Sequence, residues 1–170
     1  DLNQINGGVS RPKNVAPVKI QKVGVLGAGM MGQGIAYVSA MAGIKVVLKD
    51  ISLEAAERGK SYSAKLLERR VEKGKVDTEG AQRVLSLIKP SAEIMDLEGC
   101  DLIIEAVYEN MSLKHQITRE IEPCLKEDGI WGSNTSTLPI SMLGQASLDP
   151  KKFIGIHFFS PVDKMPLVEI

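Results

Sequence analysis

Short apolar runs alternate with longer amphipathic stretches along most of this chain. Residues 23–26 are apolar apart from Gly24 and predict a buried strand, followed by a helix over 30–42 and a second strand over 45–49. In that second strand Val46, Val47 and Leu48 are apolar in succession, as a strand requires when both faces of its sheet are covered. A long charged helix is expected over 53–73. A shorter one over 78–88 should stop at Lys89-Pro90, because the residue before a proline is held out of the helical region. The pattern then predicts a strand over 101–107, a helix over 112–125, strands over 130–133 and 153–159, and a final strand-like segment, Leu167-Val168-Glu169-Ile170. Six strands with helices between them predict an α/β fold with a doubly wound, mostly parallel sheet and helices on both faces.

Composition narrows this. Residues 1–19 are rich in Asn, Gly and Pro and lack periodicity, which reads as a linker or arm, and the domain proper occupies 20–170. A chain of this size buries about 70% of the surface it exposes unfolded, so it needs no staple. The 21 basic residues balance 21 acidic ones, which argues against a nucleic-acid or anionic-membrane partner held by bulk electrostatics. Cys100 and Cys124 form no C-x-x-C pair and have no metal-ligand spacing, so they read as reduced thiols. The first twenty residues lack a signal peptide's apolar region, and no apolar run approaches the roughly 20 residues of a membrane span. The chain opens without Met and closes in what reads as a strand, so an excised fragment is expected.

Candidate chemistry begins at Gly27-Ala28-Gly29-Met30-Met31-Gly32, a G-x-G-x-x-G between the first predicted strand and its helix. In that context the motif is the phosphate-binding turn of a Rossmann-like domain. The first glycine makes the tight turn, the second admits the pyrophosphate, and the third lets helix and sheet approach. Asp50, 23 residues after Gly27 and directly after the second strand, is placed to accept hydrogen bonds from a ribose and favours NAD over NADP. The alternative is that Asp50 only caps the helix beginning near Ser52.

Farther on, Ser133-Asn134-Thr135-Ser136-Thr137 follows a strand and precedes a helix, where side-chain hydroxyls either reach a ligand or simply cap. His157 sits in an apolar and aromatic run, with Glu169 twelve residues on, past Pro161, Asp163 and Pro166. If the two segments pair as a hairpin, Glu169 can bond one ring nitrogen and leave the other free for proton transfer. Otherwise His157 is a core residue. His115 reads as solvated surface. Seven basic residues between Arg58 and Lys75 form either a solvated helix face or a docking surface for a phosphorylated ligand.

The segments VGVLGAGMMGQGIAYVSAMAG, VVLKDIS, DLIIEAVYENMSLK, SNTSTLPIS and GIHFFSPVDKMPLVEI, running in that order from about residue 20 to the end, resemble the NAD-binding domain of L-3-hydroxyacyl-CoA dehydrogenases. They are most similar to the dehydrogenase portion of the multifunctional alpha subunits of fatty-acid β-oxidation. The resemblance implies oxidation of L-3-hydroxyacyl-CoA to 3-oxoacyl-CoA with NAD as cofactor. It implies His157 as general base, Glu169 as its orienting acid, and Ser136 as a contact to the reacting oxygen and the nicotinamide. Glu109 and Lys114 would line the cofactor beside the glycine loop and Asp50. Ser63 and Arg70, seven apart on one helical face, would contact coenzyme A. Ser160 stands where many members have Asn, which puts one cofactor hydrogen bond in doubt, although multifunctional members commonly have Ser there.

Several wider expectations come with the resemblance. The opening segment would link to an upstream enoyl-CoA hydratase portion, a helical substrate and dimerisation domain would lie beyond residue 170, and a thiolase would be a partner. The setting would be a bacterial cytoplasm or the mitochondrial matrix. A chain without that helical domain is expected to bind NAD(H) but turn over little. The competing readings are a hydroxyacid dehydrogenase with a non-CoA substrate and a non-catalytic NAD-binding module.

Overall fold

The computed structural model describes residues 12–170. Residues 1–11 of the expected linker lie outside the described residues, whereas 12–19 are exposed and form neither helix nor strand. The domain is built around strands β1 (Lys22–Leu26), β2 (Lys45–Lys49), β3 (Ile88–Ser91), β4 (Cys100–Glu105), β5 (Leu125–Ser133) and β6 (Phe153–Gly155). They form one sheet in the order β3-β2-β1-β4-β5-β6 with every neighbouring pair parallel, the doubly wound arrangement expected. Helices α1 (Met30–Met41), α2 (Leu53–Glu72), α3 (Thr78–Ser86), α4 (Met111–Ile121) and the short α5 (Ile140–Leu143) make the connections.

Alternation along the strands explains why both faces are covered. Val23, Val25, Val46 and Leu48 point to one face and pack with Ile35, Ala36 and Ala40 of α1. Leu26, Val47 and Ile103 point to the other, where they meet Leu97, Ile121 and Trp131. A third cluster, Tyr37, Leu67 and Ala81, seals α1, α2 and α3 together. Helix starts follow ordinary capping chemistry: Ser52, Asp77 and Asn110 each accept from a first-turn N–H of α2, α3 and α4. Among the described residues no helix is long and apolar enough to cross a membrane.

Two expectations about the strands need correction. The sixth strand of the sheet is β3, which the sequence reading merged into the end of a helix and a proline stop. It contains Pro90 and lies at the sheet edge, where a missing N–H costs least. The run 153–159 is not one strand. Its main-sheet neighbour β5 ends at Ser133, so the backbone ladder between them stops once Ile156 donates to the Ser133 carbonyl. The chain then leaves the sheet, and β7 (His157–Phe158) pairs antiparallel with β8 (Val168–Glu169).

Candidate active site

In open sheets of this topology the ligand crevice lies beyond the carboxyl ends of the strands, where the strand order reverses. Here that point is the gap between β1 and β4. One wall is made by backbone. Gly27 turns out of β1 with φ +90°, a conformation that suits glycine, and a Cβ there would stand 2.7 Å from the Ala106 carbonyl oxygen. At Gly32 a Cβ would lie 1.7 Å from the Gly27 carbonyl oxygen, so α1 can approach the turn only with hydrogen at that position. Gly29 differs. A Cβ there would meet nothing within 4 Å, so the space above it is free for a ligand that needs close backbone approach.

The same residue is the N-cap of α1 and supplies no side-chain cap, and the first turn carries no acid. The leading N–H groups and the positive end of the helix dipole are therefore directed at the crevice, a setting suited to phosphate. Asp50 does not cap α2, since Ser52 does that. Its carboxylate accepts from the Ala28 N–H at 2.6 Å and from the Ile51 N–H at 2.7 Å, which ties the glycine turn to the end of β2. These residues fit the pyrophosphate and adenosine half of a dinucleotide.

Side chains make the other wall. Met31, Ala106, Val107, Glu109, Asn134, Ser136 and His157 to Ser160 line a cavity of about 310 Å³. The antiparallel pairing sets His157 opposite Glu169, and the His157 Nδ1–H donates to Glu169 Oε2 at 2.9 Å. An ionised carboxylate only accepts, so it fixes the ring proton on Nδ1 and leaves the Nε2 lone pair free. Phe159 packs on the imidazole with ring centroids 4.7 Å apart. The Asn134 side-chain carbonyl accepts from the Phe158 N–H at 2.9 Å and joins the histidine strand to the Asn134–Thr137 loop.

That loop is gathered on Glu109. Its Oε1 accepts from the Thr135 hydroxyl, from the Ser136 and Thr137 N–H groups at 3.1 Å each, and from the Thr137 hydroxyl at 3.2 Å. Burial alone raises the carboxyl's pKa. The Thr135 and Thr137 hydrogen bonds and the Lys114 ammonium outweigh it and hold the group down at about 2. Lys114 does not line the cavity as expected. It is 1% exposed and lies behind Glu109, 3.2 Å from Glu109 Oε2 and 2.6 Å from Glu105 Oε1.

Glu105, equally buried, also accepts from the Ser133 hydroxyl at 2.8 Å and the Val107 N–H at 2.9 Å. Sequence reasoning passed over it, although a carboxylate inside the apolar run DLIIEAV is a signal, since acids are seldom buried without partners. Asn134 was likewise seen only as part of a hydroxyl-rich cluster.

The coenzyme A contacts need correction at Ser63. The buried stripe of α2 runs Ala56, Gly59, Ser63, Leu67, so the face shared with Arg70 points inward. Ser63 is 0% exposed and its hydroxyl has no partner among the described residues, so no coenzyme can reach it in this conformation. Arg70 is half-buried beside Tyr37, with its Nε also unpartnered among the described residues. Ser160 is exposed over α1, its hydroxyl 3.8 Å from the sulfur of Met30. His115 is not simply solvated: Nε2–H donates to the Met142 carbonyl at 2.9 Å. Both cysteines are free thiols, and burial pushes Cys100 up to about 11, far from thiolate chemistry.

Residues 22–170 match the family described as 3-hydroxyacyl-CoA dehydrogenase, NAD binding domain. The chain is 45% identical over 151 residues to the fatty acid oxidation complex subunit alpha of Pseudomonas aeruginosa strain LESB58, covering 89% of this chain and 21% of that protein. It thus spans about a fifth of the length of the curated relatives it matches. Among solved structures it is similar to (S)-3-hydroxybutyryl-CoA dehydrogenase PaaH1 from Ralstonia eutropha, at 40% identity and a TM-score of 0.84, covering 88% of this chain and 53% of that one. The 3-hydroxybutyryl-CoA dehydrogenase from Escherichia coli K12 gives 34% identity and a TM-score of 0.85, with coverages of 89% and 32%.

Proposed function

The chain belongs to the family of 3-hydroxyacyl-CoA dehydrogenase NAD binding domains, and from that premise we propose that it serves the NAD-dependent oxidation of L-3-hydroxyacyl-CoA to 3-oxoacyl-CoA in fatty-acid β-oxidation. The observation that carries the reading is the His157–Glu169 pair, whose histidine lines the same cavity as Met31 of the glycine loop and Ser136. When bound, NAD supplies the acceptor for the hydride that leaves the hydroxyl-bearing carbon.

The chain's own residues do the rest. The α1 N-terminus and Gly29 would hold the pyrophosphate, and Asp50 would hold the ribose. Ser136 donates to the reacting oxygen. Nε2 of His157 takes the hydroxyl proton as the carbonyl forms, and Glu169 stabilises the imidazolium that results. Arg70, half-buried on α2, is the candidate for an acyl-CoA contact. In the longer protein an enoyl-CoA hydratase portion precedes this domain, a helical domain follows it, and a thiolase is the partner, in a bacterial cytoplasm or the mitochondrial matrix.

Fluorescence titration should show NADH binding to this chain. In the longer protein, His157→Ala should lower acetoacetyl-CoA reduction by about 10²–10⁴-fold while NADH affinity is retained. Unchanged turnover in that variant, or activity on free hydroxyacids but not on thioesters, would contradict the proposal.

A further inference from the structure

The three ionisable groups Glu105, Lys114 and Glu109 lie in a row from the sheet interior to the cavity wall. Lys114 and Glu105 are each 1% exposed, yet neither touches the cavity, so the chemistry proposed above uses neither directly. An ion pair taken wholly out of water is expensive and returns little stability compared with an apolar pair of the same volume. Its presence behind a reactive loop therefore asks for another explanation.

The connections supply one. Glu105 stands at the carboxyl end of β4, in register with Ser133 at the end of β5, and accepts from its hydroxyl. It also holds the Lys114 ammonium at 2.6 Å. Lys114 in turn reaches Glu109 Oε2 at 3.2 Å, while Glu109 Oε1 collects the donors of Thr135, Ser136 and Thr137. One end of the loop is thus fixed at Ser133 and the other at Thr137 by carboxylates that share a single buried cation. Asn134, between them, accepts from the Phe158 N–H next to His157.

We propose that Glu105 and Lys114 are positioning residues that use a buried charge to clamp the Asn134–Thr137 loop through Glu109, and so set Ser136 and the histidine strand against the cofactor. The proposal rests on the NAD-binding reading of the same cavity. It assigns Glu109 an anchoring task as well as a place on the wall. An uncharged pair in place of Glu105 and Lys114 would fill the volume but leave Glu109 without its cation and the loop with a weaker anchor.

The test compares Glu105→Gln with the double variant Glu105→Gln/Lys114→Met in the whole chain. Thermal melting, NADH fluorescence titration, and hydrogen exchange at the Ser136 and Thr137 amides are each measured. The single variant should melt lower, because it strands a buried ammonium beside one remaining carboxylate. The double variant should melt higher than the single variant, yet still bind NADH about tenfold more weakly than the wild type and exchange those two amides at least tenfold faster. Recovery of all three properties would overturn the proposal and leave the pair a purely structural feature. If the wild type does not bind NADH, the functional reading fails, and amide exchange alone decides: faster exchange in the stable double variant supports the clamp, and wild-type exchange refutes it.

Discussion

The two walls of the crevice are built from different materials. The wall below α1 consists of backbone: Gly27 and Gly32, which have no room for a Cβ, Gly29, which leaves space above it, and one carboxylate, Asp50, that fastens the turn. The wall formed by β4, β5 and β7 consists of side chains, with the Glu105–Lys114–Glu109 row behind it and the His157–Glu169 pair at its rim. At Gly27 and Gly32 the first wall is set by close packing. The second is held by charge and hydrogen bonds, and its strength ranges from the fully buried pair to one whose members are 28% and 61% exposed. A binding surface for an invariant pyrophosphate suits the first kind. A surface that must move a proton suits the second, because the His157–Glu169 pair at its rim is partly exposed and lies outside the packed core.

Gly32→Ala should break the backbone wall outright. The added Cβ would sit 1.7 Å from a carbonyl oxygen that cannot rotate away, so more than about 3 kcal/mol of destabilisation is expected. A thermal melt should show a fall of roughly 6 °C or more.

A pH series addresses the side-chain wall. Glu109 has a folded-state pKa near 2, below the ordinary value of 4.5, so its contribution is complete above about pH 4.5 and is lost as the pH falls toward 2. Glu109→Gln should melt below the wild type at pH 6, and the gap should narrow on acidification over that window. A gap constant down to pH 2 would show that the anchoring is not ionic.

At the rim, Glu169→Gln should change stability by less than about 0.5 kcal/mol, because an exposed ion pair contributes little. Turnover of the longer protein should nevertheless fall on the order of 100-fold, since the amide no longer fixes the proton on Nδ1. Equal activity in the two forms would remove Glu169 from the mechanism.

The backbone wall was largely legible in the sequence, because Gly27, Gly29, Gly32 and Asp50 meet their spacing with nothing between strand and helix to obscure it. The histidine pair was legible as one of two readings: the turn residues between His157 and Glu169 allow a hairpin, and the pairing of the two strands selects it over a core histidine. The charged row was not. Glu109 and Lys114 came from the family resemblance, which says nothing of burial, and Glu105 sits in a strand whose apolar pattern drew attention from its single acid.

The helical period correctly put Ser63 and Arg70 on one face of α2. It could not say that Tyr37 and α1 cover that face. Strand β3 was missed because Ile88-Lys89-Pro90-Ser91 is too short and too polar to show alternation, and only pairing with Val46 to Lys49 makes it a strand.

The most direct test of the central claim, that a dinucleotide lies against the glycine turn with its nicotinamide end toward His157, is an NADH titration of Gly29→Ala beside the wild type. Among the described residues the extra methyl meets no atom beyond its chain neighbours within 4 Å, so melting temperatures should agree within about 2 °C. Affinity for NADH should fall at least tenfold, because the methyl occupies the space the pyrophosphate requires. Undiminished NADH binding by a stably folded Gly29→Ala would contradict this placement of the cofactor.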